Sequence, residues 1–336
     1  MGWLETPVGR VPRVDTRLNW NDRAGHWQMR WGIGRNRYRI APGLYAVGVP
    51  NDQSPVLVSA NYKMSFDLLR RSLAGLDAWL LVIDTKGINV WCAAGKGTFG
   101  TREIVQRVGH CELDRLVSHR TLIVPQLGAP GVAVHRVKHD CGFSVVYGPV
   151  RAMDLKVFLA AGMKATEAMR RVGFSTLDRL VLTPVELTGM IKSILGAALL
   201  LFIVGGIGPG WFSLTAAWDR GTVALGCLLT GIMVGAVGVP VLLPWIPGRA
   251  FSIKGAMFGL LVSLLMLAGI ETDSSLPENM ALLLALPAVS SYCAMNFTGS
   301  TTFTSPSGVE KEMRRAIPAQ LAALLMAGIF WIGAAF

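Results

Sequence analysis

PVLVSANYKMSFDLLRRSLAGLDAWLLVID, residues 55–84, is the stretch on which the fold turns. PVLVSA (55–60) is a short β-rich run, MSFDLLRRSL (64–73) sets its apolar residues at helical spacing, and AWLLVID (78–84) is β-rich again. The alternation continues outward. REIVQRVGHCE (102–112) predicts a helix, TLIVP (121–125) a strand, GVAVHRVKHD (131–140) a helix and FSVVYG (143–148) a strand. AMDLKVFLAAG (152–162) predicts a further helix, and RLVLTP (179–184) a closing strand. Strands alternating with helices predict an α/β domain over residues 41–185, a Rossmann-like parallel sheet wrapped by helices. Residues 1–40 are basic, most densely in RWGIGRNRYRI (30–40). They are expected to form an irregular surface extension resting on anionic lipid headgroups.

The rest of the chain is of another kind. Of 336 residues, 52% are hydrophobic and 16% charged, at a mean hydropathy of +0.46, too apolar for an ordinary soluble protein. Residues 1–185 hold 25 of the 32 Lys and Arg but 14 of the 21 Asp and Glu, so the basic charge lies there and the remainder is neutral. Apolar runs long enough to cross a bilayer occur at 188–208, 222–246, 251–270, 279–297 and 317–335. They predict an all-α transmembrane domain of five helices over residues 186–336.

Charge between these runs alternates in sign. Arg170, Arg171 and Arg179 precede the first, Arg249 and Lys254 follow the second, and Lys311, Arg314 and Arg315 precede the last. WFSLTAAWDR (211–220) is nearly neutral and ETDSSLPEN (271–279) is acidic. The positive-inside rule then predicts a multi-pass protein of the cytoplasmic (inner) membrane, with its N-terminal domain in the cytoplasm and its C-terminus outside. Trp211, Trp218, Trp245 and Trp331 near the span ends suit an aromatic belt. Gly231 and Gly235 stand at GxxxG spacing and predict close helix packing. No carboxylate lies in mid-span, which favours anchoring over transport. The start, MGWLETPVGRVPRVDTRLNW, lacks the apolar core of a secretory signal and does not complete a myristoylation pattern. Cys92, Cys111 and Cys141 are therefore expected as reduced cytoplasmic thiols, and Cys227 and Cys293 as small core residues.

Ligands of such sheets bind beyond the carboxyl ends of the strands. The loops there are NYK (61–63), TKGINVWCAAGKG (85–97), QLGAPG (126–131) and GPVR (148–151). Glycine in three of them lets the backbone approach a ligand closely. Asn61, Thr85, Gln126, Leu127, Gly128, Gly148 and Pro149 are the candidate contacts, and four converging loops suggest a broad, flat ligand with Cys92 above it. A buried core cysteine is the plain alternative. A redox pair would want C-x-x-C, which is absent, and His110–Cys111 and His139–Cys141 lack zinc pair spacing. GKGT (95–98) is like the end of a phosphate-binding loop, but Val90 stands where glycine is required and Gly97 where Ser or Thr should follow Lys96. It leaves as a rival a nucleotide-binding domain regulating a small membrane transporter. A thiolate at a helix start, with Lys96 nearby, suits a soft, redox-active metal. One protein ligand suffices if a tetrapyrrole supplies the rest.

NVWCAAGK (89–96), with SANYKMSFDLLR, LLVIDTKGINVWCAAGKGTFGT, PQLGAPGVAVH, VVYGPVRAMDL and RLVLTPVEL, resembles the HgcA family, the corrinoid proteins of microbial mercury methylation. The resemblance runs over about residues 40–336 and is most specific in the NVWCAAGK core with GPVRA. The soluble domain is also similar to the corrinoid-binding domain of the corrinoid/iron–sulfur protein large subunit. The resemblance implies a base-off, cobalamin-type corrinoid with Cys92 as lower axial ligand to cobalt. Asn89, Val90 and Trp91 would position a cap helix over the corrin, Ala93 and Ala94 would leave room for it, and Gly95 and Lys96 would complete the turn. The implied activity is methyl transfer from cobalt to Hg(II), giving methylmercury, with Cys92 catalytic. The implied partners are a methyl-tetrahydrofolate-dependent donor system, an HgcB-like ferredoxin with two 4Fe–4S clusters, and membrane lipid, with no nucleic acid. A membrane-tethered methyl carrier of one-carbon metabolism is the alternative within corrinoid chemistry.

Overall fold

The computed structural model describes residues 2–269, 275–300 and 306–336. It divides into two compact units, Met1–Met29 with Ile33–Gly173, and Arg30–Gly32 with Phe174–Phe336.

The first unit is built on a seven-stranded sheet. Its strands are β1 (Gly2–Thr6), β2 (Gly9–Val14), β3 (Gly43–Val47), β4 (Val56–Ala60), β5 (Ala78–Ile83), β6 (Thr121–Val124) and β7 (Ser144–Tyr147). They lie in the order β1-β2-β3-β5-β4-β6-β7. The run β5-β4-β6-β7 is parallel, as the strand–helix alternation requires. β3 is antiparallel to β5, β2 parallel to β3, and β1 antiparallel to β2. Helices cover both faces: α1 (Trp20–Arg30), α2 (Lys63–Ser72), α3 (Val90–Gly95), α4 (Thr101–His110), α5 (Leu113–Leu116), α6 (Val134–Cys141), α7 (Leu155–Ala160) and α8 (Glu167–Arg170).

Every residue of β4 and β5 is buried, so these strands lie in the middle of the sheet with protein on both sides. Side chains alternate between faces. Val56, Val58, Trp79, Leu81 and Ile83 pack with Ile104 and Val108 of α4 and Val137 of α6. Leu57, Leu80 and Val82 pack with Phe66 and Leu69 of α2 and Phe158 of α7. Fully burying each of these large apolar side chains contributes about 1.5–3 kcal/mol.

Three expectations for this region need correction. Residues 1–40 are not irregular: they supply the β1–β2 hairpin and α1, and β2 extends the sheet. RLVLTP is no strand. Ser175 caps a helix α9 (Thr176–Leu180) through a reciprocal pair with Asp178, and Pro184 opens α10 (Thr183–Gly205). The first unit therefore ends at Gly173 rather than near residue 185. The sheet is parallel-rich, as expected of a Rossmann-like domain, with β2 and β3 running opposite to the other strands.

A buried ion network joins α1 to α2. Lys63 Nζ lies 2.5 Å from Asp22 and 2.6 Å from Asp67, and Arg70 lies 2.6 Å from Asp22 and 2.8 Å from Asp67. His26 Nε2 is 3.0 Å from Asp67 Oδ2. Burial alone would raise the Asp22 carboxyl, but hydrogen bonds from Lys63, the Asn19 backbone and Arg70 outweigh it and hold its pKa at about 2, below the ordinary 3.8. A depressed carboxylate stabilises the fold above its unfolded value and loses that contribution as pH falls through the folded one. We therefore expect acid titration of unfolding to show a loss of about 2 kcal/mol between about pH 4 and pH 2 that is missing from Asp22→Asn. Denaturant midpoints measured across that window for both chains check it.

The second unit is helical. Beyond α9 and α10 it contains α11 (Leu214–Met233), continued through a π-helical segment (Val234–Gly238) into α12 (Val239–Leu242), then α13 (Phe251–Gly269), α14 (Leu276–Asn296) and α15 (Pro306–Gly333). Among the described residues, four helical stretches are long and apolar enough to cross a membrane: Thr176–Gly205, Leu214–Leu242, Phe251–Gly269 and Ser307–Gly333. The expected span at 279–297 forms as α14, but it is not among them. It is less apolar because of Asn279, Ser290, Ser291 and Asn296. Ser290, Ser291, Cys293 and Ala294 of α14 are buried in the bundle, where polar and small side chains meet protein instead of lipid. Gln320 of α15 donates to Ser291 Oγ at 2.8 Å. A Cβ on Gly235 would lie 2.3 Å from the Ser290 carbonyl oxygen, and one on Gly255 2.6 Å from it, so α14 sits in direct backbone contact with both neighbours. Gly235 thus serves the close packing its spacing predicted.

Lys254 is also not a loop charge. It lies in α13, buried, and its ammonium donates to the carbonyls of Leu243 at 2.7 Å and Ile246 at 2.6 Å. It satisfies the end of the preceding helix, so it counts less toward orientation than an exposed lysine. Glu271 and Asp273, on which the acidic loop rests, fall outside the described residues.

Candidate functional site

The carboxyl ends of β4, β5, β6 and β7 open onto the loops expected there. The turn after β5 is shaped from below by Asn61. This side chain is buried, and its Oδ1 accepts from Thr85 N at 3.0 Å and Gly87 N at 2.9 Å, with Thr85 Oγ1 2.9 Å away. Its amide nitrogen donates to Asp84 Oδ1 at 3.0 Å. Thr85 is fully buried, and its hydroxyl also lies 2.6 Å from the Ile88 carbonyl. Asn61 and Thr85 thus direct their polar atoms into the loop and hold its path. Lys86 takes a left-handed backbone there, at φ 58°.

The loop delivers the chain into α3, which begins at the Asn89 cap. Asn89 Oδ1 accepts from Cys92 N at 2.9 Å, and Ala93 N donates to the Asn89 carbonyl at 2.9 Å. The helix divides by face. Ala93 and Ala94 are buried against the core, Asn89 and Val90 are half-buried, and Trp91, Cys92, Gly95 and Lys96 are exposed. Small residues inside let the helix lie low on the sheet edge, and Cys92 is left standing outward. Of the five free cysteines it alone is exposed. Cys111 and Cys141 are half-buried and burial pushes both thiols up, while Cys227 and Cys293 are buried.

The loop after β6 packs on α3 at contact distance. Gln126–Gly131 forms a 3-10 turn in which Gly128 is buried under Phe99, and a Cβ there would lie 2.5 Å from the ring. A Cβ on Gly131 would lie 2.1 Å from the Phe99 carbonyl oxygen and 3.3 Å from Ala94 Cα. Leu127 is half-buried on this turn. Gln126 Oε1 is buried and, among the described residues, accepts no hydrogen bond. Gly148 and Pro149, after β7, are buried, with Gly148 N bonded to the Val124 carbonyl at 2.8 Å. Phe99, Gly131 and Asp84, which tie these loops together, were not among the expected contacts. QLGAPG already holds Gly131, whereas the reach of Phe99 leaves no local signal.

Two alternatives can be weighed on this geometry. GKGT closes α3, with Lys96 as its C-cap, whereas a phosphate-binding loop runs into the start of a helix. Among the described residues no three His, Cys, Asp or Glu side chains are grouped to hold a metal ion. What the edge offers is one exposed sulfur, a glycine-rich floor at van der Waals contact and one buried acceptor awaiting a donor. That set fits a broad macrocycle which brings its own equatorial metal ligands.

Comparison with known proteins agrees in the region that carries this edge. Residues 34–159 match the family described as CdhD, CO dehydrogenase/acetyl-CoA synthase delta subunit. Over 127 residues the chain is 32% identical to an acetyl-CoA decarbonylase/synthase complex subunit gamma of Methanopyrus kandleri, covering 37% of this chain and 27% of that one. It is 27% identical over 127 residues to the corrinoid/iron-sulfur protein large subunit of Moorella thermoacetica, covering 37% of this chain and 28% of that one. The chain therefore spans about a quarter of the length of these relatives, and the residues that match the family lie within its first unit.

Proposed function

We propose that the chain is a membrane-anchored, corrinoid-dependent methyltransferase in which Cys92 is the lower axial ligand of cobalt and Hg(II) is the methyl acceptor. The observation that carries this is the single exposed sulfur, held on a capped helix at the carboxyl edge of the sheet, inside residues 34–159 that match the CO dehydrogenase/acetyl-CoA synthase delta subunit family.

When bound, a base-off corrinoid supplies a cobalt-held methyl group, and an electrophile such as Hg(II) can take it only as a carbanion or radical. The residues of this chain set the terms of that transfer. Cys92 would hold the metal through its thiolate, a stronger donor than histidine or water, and such donation would favour loss of the methyl with its electrons. Asn89 fixes the position of that sulfur by holding the Cys92 N–H. Ala93, Ala94, Gly128 and Gly131 keep the cap helix and its floor low enough for close approach, and Gln126 offers its carbonyl oxygen to a donor on the cofactor rim. Trp91 and Val90 would position the cap helix over the macrocycle, and Gly148 and Pro149, after β7, would be further contacts.

The five cysteines are isolated, so electrons and methyl groups must come from elsewhere. An HgcB-like ferredoxin and a methyl-tetrahydrofolate-dependent donor fill these roles, and the basic first unit suits an acidic redox partner. In this reading the first unit faces the cytoplasm of the inner membrane, the four apolar helices and the bundle-buried α14 make five crossings that anchor it, and the C-terminus is outside. The names of the relatives favour a second reading, a methyl carrier of one-carbon metabolism for which mercury is an accidental acceptor. The test is the purified full chain. A corrinoid visible spectrum with methyl transfer to Hg(II) supports the first reading. The same spectrum with transfer only to other acceptors supports the second, and a colourless chain that cannot be loaded with corrinoid ends both.

A further inference from the structure

Helix α1 turns its two tryptophans outward. Its inner face buries Asp22 in the ion network, Gly25 so close to Tyr38 that a Cβ would stand 2.3 Å from the hydroxyl, and Met29 against Tyr62 and Met64. Its outer face shows Trp20, 79% exposed, and Trp27, 68% exposed. Seven residues apart on an α-helix, these two rings lie on one line, and exposed Arg23 sits within a turn of each. A helix that buries a carboxylate and displays tryptophans directs aromatic surface at something outside the fold.

Charge narrows what that is. Residues 1–40 hold eight arginines against three carboxylates. Arg13 and Arg17 before the helix and Arg35 and Arg37 after it are exposed, as is Ile33, at 61%. Tryptophan favours the membrane–water interface, and arginine beside it meets anionic headgroups. The chain also carries helices long and apolar enough to cross a bilayer, so a lipid surface is present at high effective concentration. We propose that the outer face of α1 docks on the headgroup layer of an anionic bilayer, with Trp20 and Trp27 at the interface and Arg23 on lipid phosphate. The inference rests on the membrane reading of the C-terminal helices but on none of the corrinoid chemistry.

The full chain in lipid nanodiscs tests it, by subtracting the tryptophan emission of Trp20→Phe/Trp27→Phe from that of the parent. In discs containing phosphatidylglycerol the difference emission should be blue-shifted and quenched by headgroup-proximal brominated lipid. In phosphatidylcholine discs, or with Arg23→Gln in the parent, the docked-to-undocked ratio should fall, by about fivefold for the single arginine. Solvent-like, unquenched difference emission in anionic discs overturns the proposal, as does a blue shift that appears only when an acidic protein is added. A chain that remains in water without detergent and enters no disc overturns the membrane reading together with it.

Discussion

Cys92→Ala should fold, retain the corrinoid and transfer no methyl group to Hg(II). Cys92 is exposed, and a surface substitution of this kind costs within about 0.5 kcal/mol, so lost activity cannot be ascribed to unfolding. The Asn89 cap bonds the backbone N–H of residue 92, so the helix survives removal of the sulfur. The visible spectrum should shift, because the lower ligand changes while the macrocycle and its floor stay. Cys92→His keeps a ligand but donates less, and its activity should fall below the parent or vanish. Methylmercury formation is measured alongside thermal unfolding for all three chains. Parent-level activity in Cys92→Ala would remove the mechanism.

Asn61→Ala should be the most damaging single change to the scaffold of the site. It strips the acceptor from Thr85 N and Gly87 N and the donor from Asp84 at once. Each buried polar group left without a partner costs about 1–3 kcal/mol. With two buried N–H groups orphaned, about 2–5 kcal/mol is expected, lowering the melting temperature of the first unit by roughly 5–15 °C. Corrinoid affinity should fall with it, because the loop that carries α3 loses its support. Asn61→Asp keeps the acceptor but sets a second carboxylate beside Asp84, and should lie between the two. Calorimetry with corrinoid titration checks the order. Equal stability of all three chains would show that the loop is held by something other than Asn61.

These results bear on how far the sequence could be read. The β4–α2–β5 unit was legible because its strands are apolar throughout and its helix keeps one apolar face, patterns that depend on few distant residues. The β1–β2 hairpin was not, since GRVPRV is realised as a strand by pairing with β1 and, at Arg13 and Val14, with β3, some thirty residues on in the chain. RLVLTP misled because its β-branched residues favour strands locally, while the Ser175 cap and Pro184 commit the segment to helix. Helix α14 falls short of the apolarity of the other long helices because of Asn279, Ser290, Ser291 and Asn296, and of these the two serines are buried in the bundle. At the site, Cys92 stood out as an isolated cysteine on a short, small-residue helix. Asn61 and Thr85 were found at the right strand ends, but the direction of their polar atoms depends on a loop whose path no local pattern encodes.

Cobalt K-edge X-ray absorption of the purified, corrinoid-loaded chain tests the central claim most directly. A sulfur neighbour at bonding distance in the parent, lost in Cys92→Ala, is the predicted result. Nitrogen and oxygen neighbours alone, in every oxidation state examined and equally in both chains, would contradict it.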